Sequence, residues 1–251
     1  MINLASHIDH TILKPTTTHI EIEKICKEAM EWGFAAVCVP PPMVAEAVGL
    51  VNGGLKDVKM AGVVMVAEVV NVAEEVRVAT VVKVATVIGF PFGYSTVRAK
   101  LAEVDQAIAD GADELDIVIN LIELKEGNWA ALEEEMKVLT ERAHAAGKLV
   151  KVIIESGVLT DEEIIRCCQI YARVGVDFLK TSTGYAERGA TVEAVRLMRA
   201  YLPSNVRIKA SGGIRTYALA RQLIDAGADR LGCSASVEIV RGESASGFDG
   251  Y

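Results

Sequence analysis

The chain has 251 residues, of which 51% are hydrophobic and 24% are charged, and its formal net charge at pH 7 is −8. This composition is typical of a folded protein with a substantial core and excludes a disordered chain. The acidic balance argues against nucleic-acid binding by bulk attraction. It still allows a small anionic substrate, because local lysines and backbone amides can bind phosphate.

The sequence predicts a cytoplasmic protein without a membrane span. Its most apolar stretch, residues 60–92, is interrupted by five charged residues, which is too many for a bilayer helix. The amino terminus lacks the basic start and apolar core of a secretion signal. The five cysteines are odd in number and show no metal-ligand spacing, so we expect reduced, packed thiols.

Short β-type runs alternate with helical patterns eight times along the chain, which is typical of a parallel sheet with crossover helices. The predicted strands are residues 8–13, 35–40, 84–90, 114–120, 149–155, 178–181, 207–211 and 230–233. The predicted helices are residues 19–32, 43–51, 96–110, 129–146, 161–174, 191–201, 217–226 and 235–241. Eight such units predict an α/β fold of the TIM (β/α)8 barrel type, as a single domain over residues 1–251.

The junctions between these elements agree with the barrel. Five predicted helices are followed by a glycine, the residue that most easily turns a helix end left-handed, at Gly33, Gly111, Gly147, Gly175 and Gly227. Thr160 and Glu163 form the pattern of a capping box at the start of a helix. The last residues, 242–251, have the composition of a flexible tail.

One segment breaks the alternation. From Met60 to Gly89 the sequence consists of five consecutive hexads of the form [Val/Met]-Ala-x-x-[Val/Ile]-x. Only the last hexad is needed for the third strand, so residues 60–83 form an extra insertion before it. We interpret this insertion as a tandem duplication tolerated as a surface excursion, and a binding or assembly element is the alternative.

Two lysines stand where barrel strands should end. Lys180 closes the apolar run that starts at Phe178, and Lys209 has the same position about one strand-helix unit later. A buried cation is costly, and burial together with a second positive charge favours a neutral, nucleophilic amine. A single lysine of this kind usually pairs with a carboxylate or extends to solvent. The pair on adjacent strand ends favours catalysis.

Several segments in the same order resemble the deoxyribose-phosphate aldolase family across nearly the whole chain. They are residues 8–11 (IDHT), 36–41 (AVCVPP), 87–93 (VIGFPFG), 114–120 (ELDIVIN), 151–155 (KVIIE), 178–184 (FLKTSTG) and 209–215 (KASGGIR). This resemblance implies a class I aldolase that reversibly cleaves 2-deoxy-D-ribose 5-phosphate into D-glyceraldehyde 3-phosphate and acetaldehyde, in the catabolism of deoxynucleosides. It implies no cofactor, no metal, a small phosphorylated sugar as substrate and a homo-oligomer, with a dimer favoured.

The resemblance also assigns residues to this chemistry. Lys180 forms the Schiff base, Lys209 lowers its pKa by repulsion, and Asp116 transfers protons together with a water molecule. An aspartate that only caps the following loop is the alternative for Asp116, and we interpret Asp113 and Glu114 as ordinary loop charges. The expected supporting residues are Asp9, Thr11, Lys151 and Tyr251. Cys38 is either a packed thiol or a thiol that lines the pocket.

Phosphate binding is expected from backbone amides at glycine turns and helix starts. The candidates are Gly184, Gly212, Gly213, Gly232 and Ser234. Two features depart from the family pattern: residues 185–188 (YAER) replace a more glycine-rich loop, and Ala235 stands where some members have a second serine.

Two rival functions remain at this point. A metal-dependent aldolase would need a cluster of histidines and carboxylates, whereas His7, His10, His19 and His144 are scattered along the sequence. A catalytically impaired phosphate-binding barrel would result if the insertion displaced the third strand.

Overall fold

The computed structural model describes residues 3–60 and 81–242. Its centre is a closed barrel of eight parallel strands, in which each strand pairs with the next and the last pairs with the first. This confirms the predicted TIM (β/α)8 barrel. The strands are β1 (Ile8–Thr11), β2 (Ala36–Val39), β3 (Lys83–Ile88), β4 (Glu114–Val118), β5 (Leu149–Ile153), β6 (Phe178–Lys180), β7 (Arg207–Ser211) and β8 (Arg230–Cys233).

Helices alternate with these strands. They are α1 (His19–Trp32), α2 (Val44–Met60), α3 (Val97–Ala109), α4 (Leu121–Lys125), α5 (Trp129–Ala145), α6 (Asp161–Val174), α7 (Val192–Tyr201), α8 (Tyr217–Asp225) and α9 (Ser236–Arg241). Short 3₁₀ turns occupy Ala5–His7, Pro41–Met43 and Ser156–Val158. Within the described ranges, none of these helices has both the length and the apolar character needed to cross a membrane.

Local signals in the sequence explain where several helices begin and end. The predicted capping box at the start of α6 is present, with Thr160 accepting from Glu163 N–H and the Glu163 side chain accepting from Thr160 N–H. Gly175 ends that helix in the left-handed conformation, at φ 83°. The five-residue helix α4 was not predicted, because it is too short to show a helical period. Asn120 starts it by accepting hydrogen bonds from two backbone N–H groups.

The boundaries around the third strand differ from the prediction. Helix α2 continues to Met60, beyond the predicted end at residue 51, and β3 begins at Lys83 rather than at residue 84. Val82 is buried, and Lys83 pairs with Ala36 of β2. Residues 82 and 83 are therefore part of the barrel, although the predicted insertion included them. Most of the hexad repeat, residues 61–80, lies outside the described residues.

A Gly-x-Asp sequence precedes β4, β6 and β8 and fixes the amino-terminal end of the barrel. The aspartates are Asp113 before β4, Asp177 before β6 and Asp229 before β8. Each carboxylate accepts a hydrogen bond of 2.8–3.0 Å from a backbone N–H of the preceding strand. These bonds supply partners for strand-end amides that the barrel ladder leaves free, and they set the register of neighbouring strands.

Candidate active site

Lys180 lies at the carboxyl end of β6 and is almost fully buried, with 2% of its surface exposed. It is in register with Ile153 of β5 on one side and with Lys209 of β7 on the other. The two predicted lysines therefore sit side by side on adjacent strands. Active sites of (β/α)8 barrels lie at this end of the strands.

The carboxylate of Asp116, in β4, forms ion pairs with three lysines. Its Oδ2 atom lies 2.8 Å from Lys180 Nζ and 2.7 Å from Lys209 Nζ, while Oδ1 lies 2.7 Å from Lys151 Nζ. All four side chains are almost fully buried. Because one oxygen contacts both lysines, their nitrogens lie within the range of about 4–6 Å over which one charge shifts the pKa of another.

These groups belong to a larger set that we call the barrel charge network: Asp9, Glu114, Asp116, Lys151, Lys180, Lys209 and Arg230. Asp9 Oδ2 lies 2.5 Å from Lys209 Nζ, and Asp9 Oδ1 lies 2.5 Å from Arg230 Nη1. The network contains three carboxylates and four basic side chains. It is electrically balanced when Lys180 is neutral and the other members carry their usual charges, and this balance favours a neutral Lys180 amine.

Burial is the main reason why the pKa of Lys180 is lowered from its ordinary value. Asp116 acts against this shift by attracting the ammonium form, and Lys209 adds to it by repulsion. The predicted influence of Lys209 on the Lys180 pKa is therefore present, but it is smaller than the effect of burial. When the pKa of a lysine is lowered, a larger fraction of its side chain is the neutral, nucleophilic amine near neutral pH.

Lys209 and Lys151 differ from Lys180 although they are equally buried. Burial alone would lower the pKa of Lys209, but Asp116 and Asp9 together raise it above its ordinary value. Burial would likewise lower the pKa of Lys151, but Asp116 and Glu114 raise it above its ordinary value. Burial would raise the pKa of Asp116, but the three lysines hold it well below its usual range. Two lysines thus stay cationic beside one amine that is easier to deprotonate.

The interpretation of Glu114 as a loop charge was wrong. Glu114 is the first residue of β4, is 1% exposed, and its Oε2 atom lies 2.6 Å from Lys151 Nζ. This contact is an ion pair without hydrogen-bond alignment, since Oε2 has no hydrogen-bond partner among the described residues. Because side chains alternate along a strand, Glu114 shares the inner face with Asp116. That spacing could have identified it.

The expected supporting residues occupy different positions in the site. Asp9 and Lys151 are members of the barrel charge network. Thr11 is buried in β1, the strand that also carries Asp9, and donates from Oγ1 to the backbone carbonyl of Asp9 at 2.8 Å. Tyr251 lies outside the described residues. Arg230, also a member of the network, was not identified from the sequence. Its guanidinium lies 5.7 Å from the ring of Phe178.

The glycines proposed for phosphate binding meet where the loops after β6 and β7 touch. Gly184, Gly212 and Gly213 all have positive φ. Ala190 N–H donates to Gly212 O at 3.0 Å, and a Cβ atom on Gly189 would lie 2.2 Å from the same oxygen. The two loops can approach this closely only because Gly189 has no side chain. Ser234 is exposed in the loop after β8.

Close packing explains why residue 232 is a glycine. It lies within β8, in register with Asp9 and Ser211. A Cβ atom at this position would lie 3.1 Å from Lys209 Cε and 2.9 Å from Ser211 Cβ. Glycine here therefore leaves room for the Lys209 side chain.

Glu155 holds the turn that follows Lys180, and it was not singled out in the sequence. It has φ 54°, a left-handed conformation that is uncommon for a residue other than glycine. Its carboxylate accepts from Thr183 Oγ1 in a short hydrogen bond and from Thr183 N–H at 3.2 Å. Burial raises the pKa of Glu155 above its usual value. Backbone strain next to a candidate site is typical of a functional constraint.

Cys38 belongs to a small apolar cluster at the carboxyl end of the barrel, with Leu13, Ala85 and Val87. Burial raises its pKa to about 11, and Asp116 adds to the shift. These observations agree with a packed thiol, and a role for Cys38 in lining the pocket stays a prediction. Among the described residues, no group of three or more His, Cys, Asp or Glu side chains has a geometry that could hold a metal ion.

The fold and the geometry of the site together define a class: a (β/α)8 barrel with a buried, readily deprotonated lysine at the carboxyl ends of its strands. Within that class, the sequence matches the DeoC/LacD family of aldolases over residues 4–236, and the chain belongs to this family.

Individual relatives agree with this assignment. The chain is 43% identical over 240 residues to the deoxyribose-phosphate aldolase of Thermococcus gammatolerans, covering 96% of each sequence. It is 44% identical over 245 residues to that of Streptococcus gordonii, covering 97% of this chain and 98% of the relative. The tetrameric deoxyribose phosphate aldolase of Aeropyrum pernix superimposes with a TM-score of 0.78 at 30% identity, covering 95% of this chain and 89% of that one.

Proposed function

We propose that this chain is a class I aldolase that reversibly cleaves 2-deoxy-D-ribose 5-phosphate to D-glyceraldehyde 3-phosphate and acetaldehyde. The observation that carries the proposal is the contact of Lys180 and Lys209 with one oxygen of Asp116, at 2.8 and 2.7 Å. This arrangement makes one amine nucleophilic while a fixed cation and a carboxylate remain beside it. Full-length relatives named deoxyribose-phosphate aldolase support the same activity.

In the proposed cleavage, the Lys180 amine adds to the substrate aldehyde and loses water to give an iminium. Asp116, acting with a water molecule, accepts the proton of the hydroxyl on C3. The bond between C2 and C3 breaks, its electrons pass to the iminium, and glyceraldehyde 3-phosphate leaves. A proton returned to C2 of the enamine gives the acetaldehyde iminium, which water hydrolyses to acetaldehyde and free Lys180.

The remaining members of the network orient these two groups in the proposal. Asp9 and Lys151 hold Lys209 and Asp116 in place, and Thr11 donates a hydrogen bond to the backbone carbonyl of Asp9 on the same strand. The phosphate is proposed to bind backbone amides around Gly184, Gly212 and Gly213, together with Gly232 and Ser234. The resemblance implies no metal and no organic cofactor, and every step above is assigned to side chains and water.

We also propose a homo-oligomer, with a dimer as the first expectation, and a cytoplasmic location. The location is supported by the five cysteines, all of which are free and buried. The relative from Aeropyrum pernix is tetrameric. Light scattering coupled to gel filtration distinguishes a dimer from a tetramer for this chain.

A coupled assay for glyceraldehyde 3-phosphate tests the proposed activity. We expect turnover by the full chain with and without a metal chelator, and no turnover by Lys180→Ala with an unchanged circular dichroism spectrum. Retained activity in Lys180→Ala would refute the assignment of the nucleophile. Loss of activity with chelator would instead support the metal-dependent aldolase.

A further inference from the structure

The turn after β6 carries three consecutive hydroxyl groups, at Thr181, Ser182 and Thr183. Two of them hold neighbouring parts of the barrel. Thr181 Oγ1 accepts from Ser211 N–H at 3.1 Å and contacts Ser211 O at 3.2 Å, and Thr183 Oγ1 donates to Glu155. The hydroxyl of Ser182, between them, makes no such contact among the described residues, although all three residues are buried.

Ser182 is 0% exposed, and its Oγ atom has no hydrogen-bond partner among the described residues. Leaving a buried hydroxyl without a partner costs roughly 1–3 kcal/mol. The backbone at this position is nevertheless well fixed, since Ser182 O accepts from Ser211 Oγ at 2.6 Å. A hydroxyl held rigidly without a protein partner is suited to bind a ligand.

The strand geometry directs Ser182 toward the site. The barrel ladder continues one residue past β6, because Thr181 N–H donates to Lys209 O and Thr181 O accepts from Ser156 N–H. Residues two apart on an extended strand share a face, so Ser182 lies on the same side as Lys180. A Cβ atom on Gly212 would lie 3.3 Å from Ser182 Cβ. Ser182 is therefore located between Lys180 and the glycines proposed for phosphate.

We propose that Ser182 Oγ binds the secondary hydroxyl that lies between the reacting carbons and the phosphate of the substrate. The inference rests on the proposed function, in which the aldehyde carbon is bound to Lys180 and the phosphate lies at Gly184 and Gly212. In 2-deoxy-D-ribose 5-phosphate the group between these two ends is the hydroxyl on C4. In the reverse reaction it is the hydroxyl on C2 of glyceraldehyde 3-phosphate.

The test compares two acceptor aldehydes in the addition of acetaldehyde. One is D-glyceraldehyde 3-phosphate, and the other is 3-oxopropyl phosphate, which lacks only the secondary hydroxyl. Because a site built to bind a hydroxyl disfavours the analogue without it, the wild type should prefer glyceraldehyde 3-phosphate in kcat/KM by at least about tenfold. Ser182→Ala should lose most of this preference, and it should retain kcat/KM for 3-oxopropyl phosphate within about twofold.

Ser156→Ala is the matched control. Its hydroxyl is also buried and without a hydrogen-bond partner in the described part of the chain, but it lies beyond β5 rather than between Lys180 and the glycines. The control variant should keep the wild-type preference. Equal losses for both acceptors in Ser182→Ala, or an unchanged preference, would overturn the inference.

Two further measurements separate this inference from the proposed function. Reductive trapping of acetaldehyde on Lys180 should be equal in the wild type and in Ser182→Ala, because acetaldehyde has no hydroxyl group for Ser182 to bind. A wild type that traps acetaldehyde but uses both acceptors equally would overturn the role of Ser182 even if the variant failed to fold. A wild type that adds acetaldehyde to neither acceptor would reject the proposed function itself.

Discussion

Lys180 and Lys209 are paired in register on β6 and β7, and both side-chain nitrogens contact one carboxylate oxygen, Oδ2 of Asp116. Each lysine has its own set of counterions. Lys209 also contacts Asp9 and keeps its proton, whereas Lys180 has Asp116 as its only ion-pair partner in the described ranges. One buried site thus holds a cation and a readily deprotonated amine side by side.

The first prediction concerns the pH at which Lys180 becomes reactive. Lys209→Met removes a repelling cation, so the pKa of Lys180 should rise and imine formation should need a higher pH. Asp116→Asn removes an attracting anion, so the pKa of Lys180 should fall and the rise in rate should occur at lower pH. The rate of acetaldehyde trapping by cyanoborohydride, measured against pH, reports both shifts.

Opposite shifts in these two variants cannot come from a general loss of structure. Shifts in the same direction, or no shift in Lys209→Met, would show that the two side chains do not control the Lys180 amine. Circular dichroism of each variant, recorded across the same pH range, confirms that the fold is intact.

The second prediction concerns stability. Because folding lowers the pKa of Lys180, the native chain binds fewer protons there than the unfolded chain between that lowered pKa and the ordinary value of 10.5. Burying the Lys180 ammonium therefore lowers the free energy of unfolding by its full amount below the lowered pKa. This loss of stability becomes smaller as the pH rises toward 10.5. Lys180→Met should raise the Tm at pH 7, by about 2–4 °C for each kcal/mol removed, and less at pH 10.

Lys137→Met is the control for this stability prediction, since Lys137 is an exposed residue of α5. It should leave the Tm nearly unchanged at both pH values. Asp116 keeps Lys151 and Lys209 as partners in Lys180→Met. A Tm for Lys180→Met that falls at pH 7 would contradict the account.

The third prediction concerns Gly232. An alanine methyl at this position would stand 3.1 Å from Lys209 Cε and would displace that side chain. Because small misplacements of catalytic groups are costly, Gly232→Ala should lower kcat on the order of 10²-fold. Gly49→Ala, at an exposed position in α2 where the added methyl meets no side chain of the described residues within 4 Å, should leave kcat unchanged. Full activity in Gly232→Ala would show that Lys209 has room to move.

The fourth prediction concerns the hexad repeat. Deleting residues 60–83 joins Lys59 to Val84 and restores the sequence Val-Lys-Val-Ala-Thr-Val-Ile-Gly-Phe. Val58 and Lys59 would replace Val82, which is buried, and Lys83, whose Nζ lies 3.5 Å from Asp113. We expect equal or better soluble yield and unchanged kcat/KM in the shortened chain. An unfolded product, judged by circular dichroism and gel filtration, would show that the segment is structural.

The sequence predicted the barrel because strand and helix patterns alternate and because glycine turns and capping residues mark their junctions. It also predicted Lys180, Lys209 and Asp116 as one site, since each belongs to an apolar run that ends at the same face of the barrel. The same reasoning could have identified Glu114, because it lies two residues before Asp116 and so on the same face of the strand. Its position at the start of a strand made it resemble a loop residue.

Other parts of the site depend on contacts that no local pattern shows. Asp9 and Lys209 are 200 positions apart, and Arg230 contacts Asp9 across 221 positions. The lack of a hydrogen-bond partner for Ser182 Oγ within the described part of the chain becomes evident only from the structure. The sequence likewise does not indicate that burial affects the pKa of Lys180 more than Lys209 does.

Trapping of the imine identifies the nucleophilic lysine directly. The wild-type chain is incubated with acetaldehyde and cyanoborohydride, digested and analysed by mass spectrometry, beside Lys180→Ala and the exposed-lysine control Lys137→Met. We expect one ethylated lysine, Lys180, in the wild type and in Lys137→Met, and none at this site in Lys180→Ala. Ethylation spread over surface lysines with Lys180 unmodified would contradict this expectation.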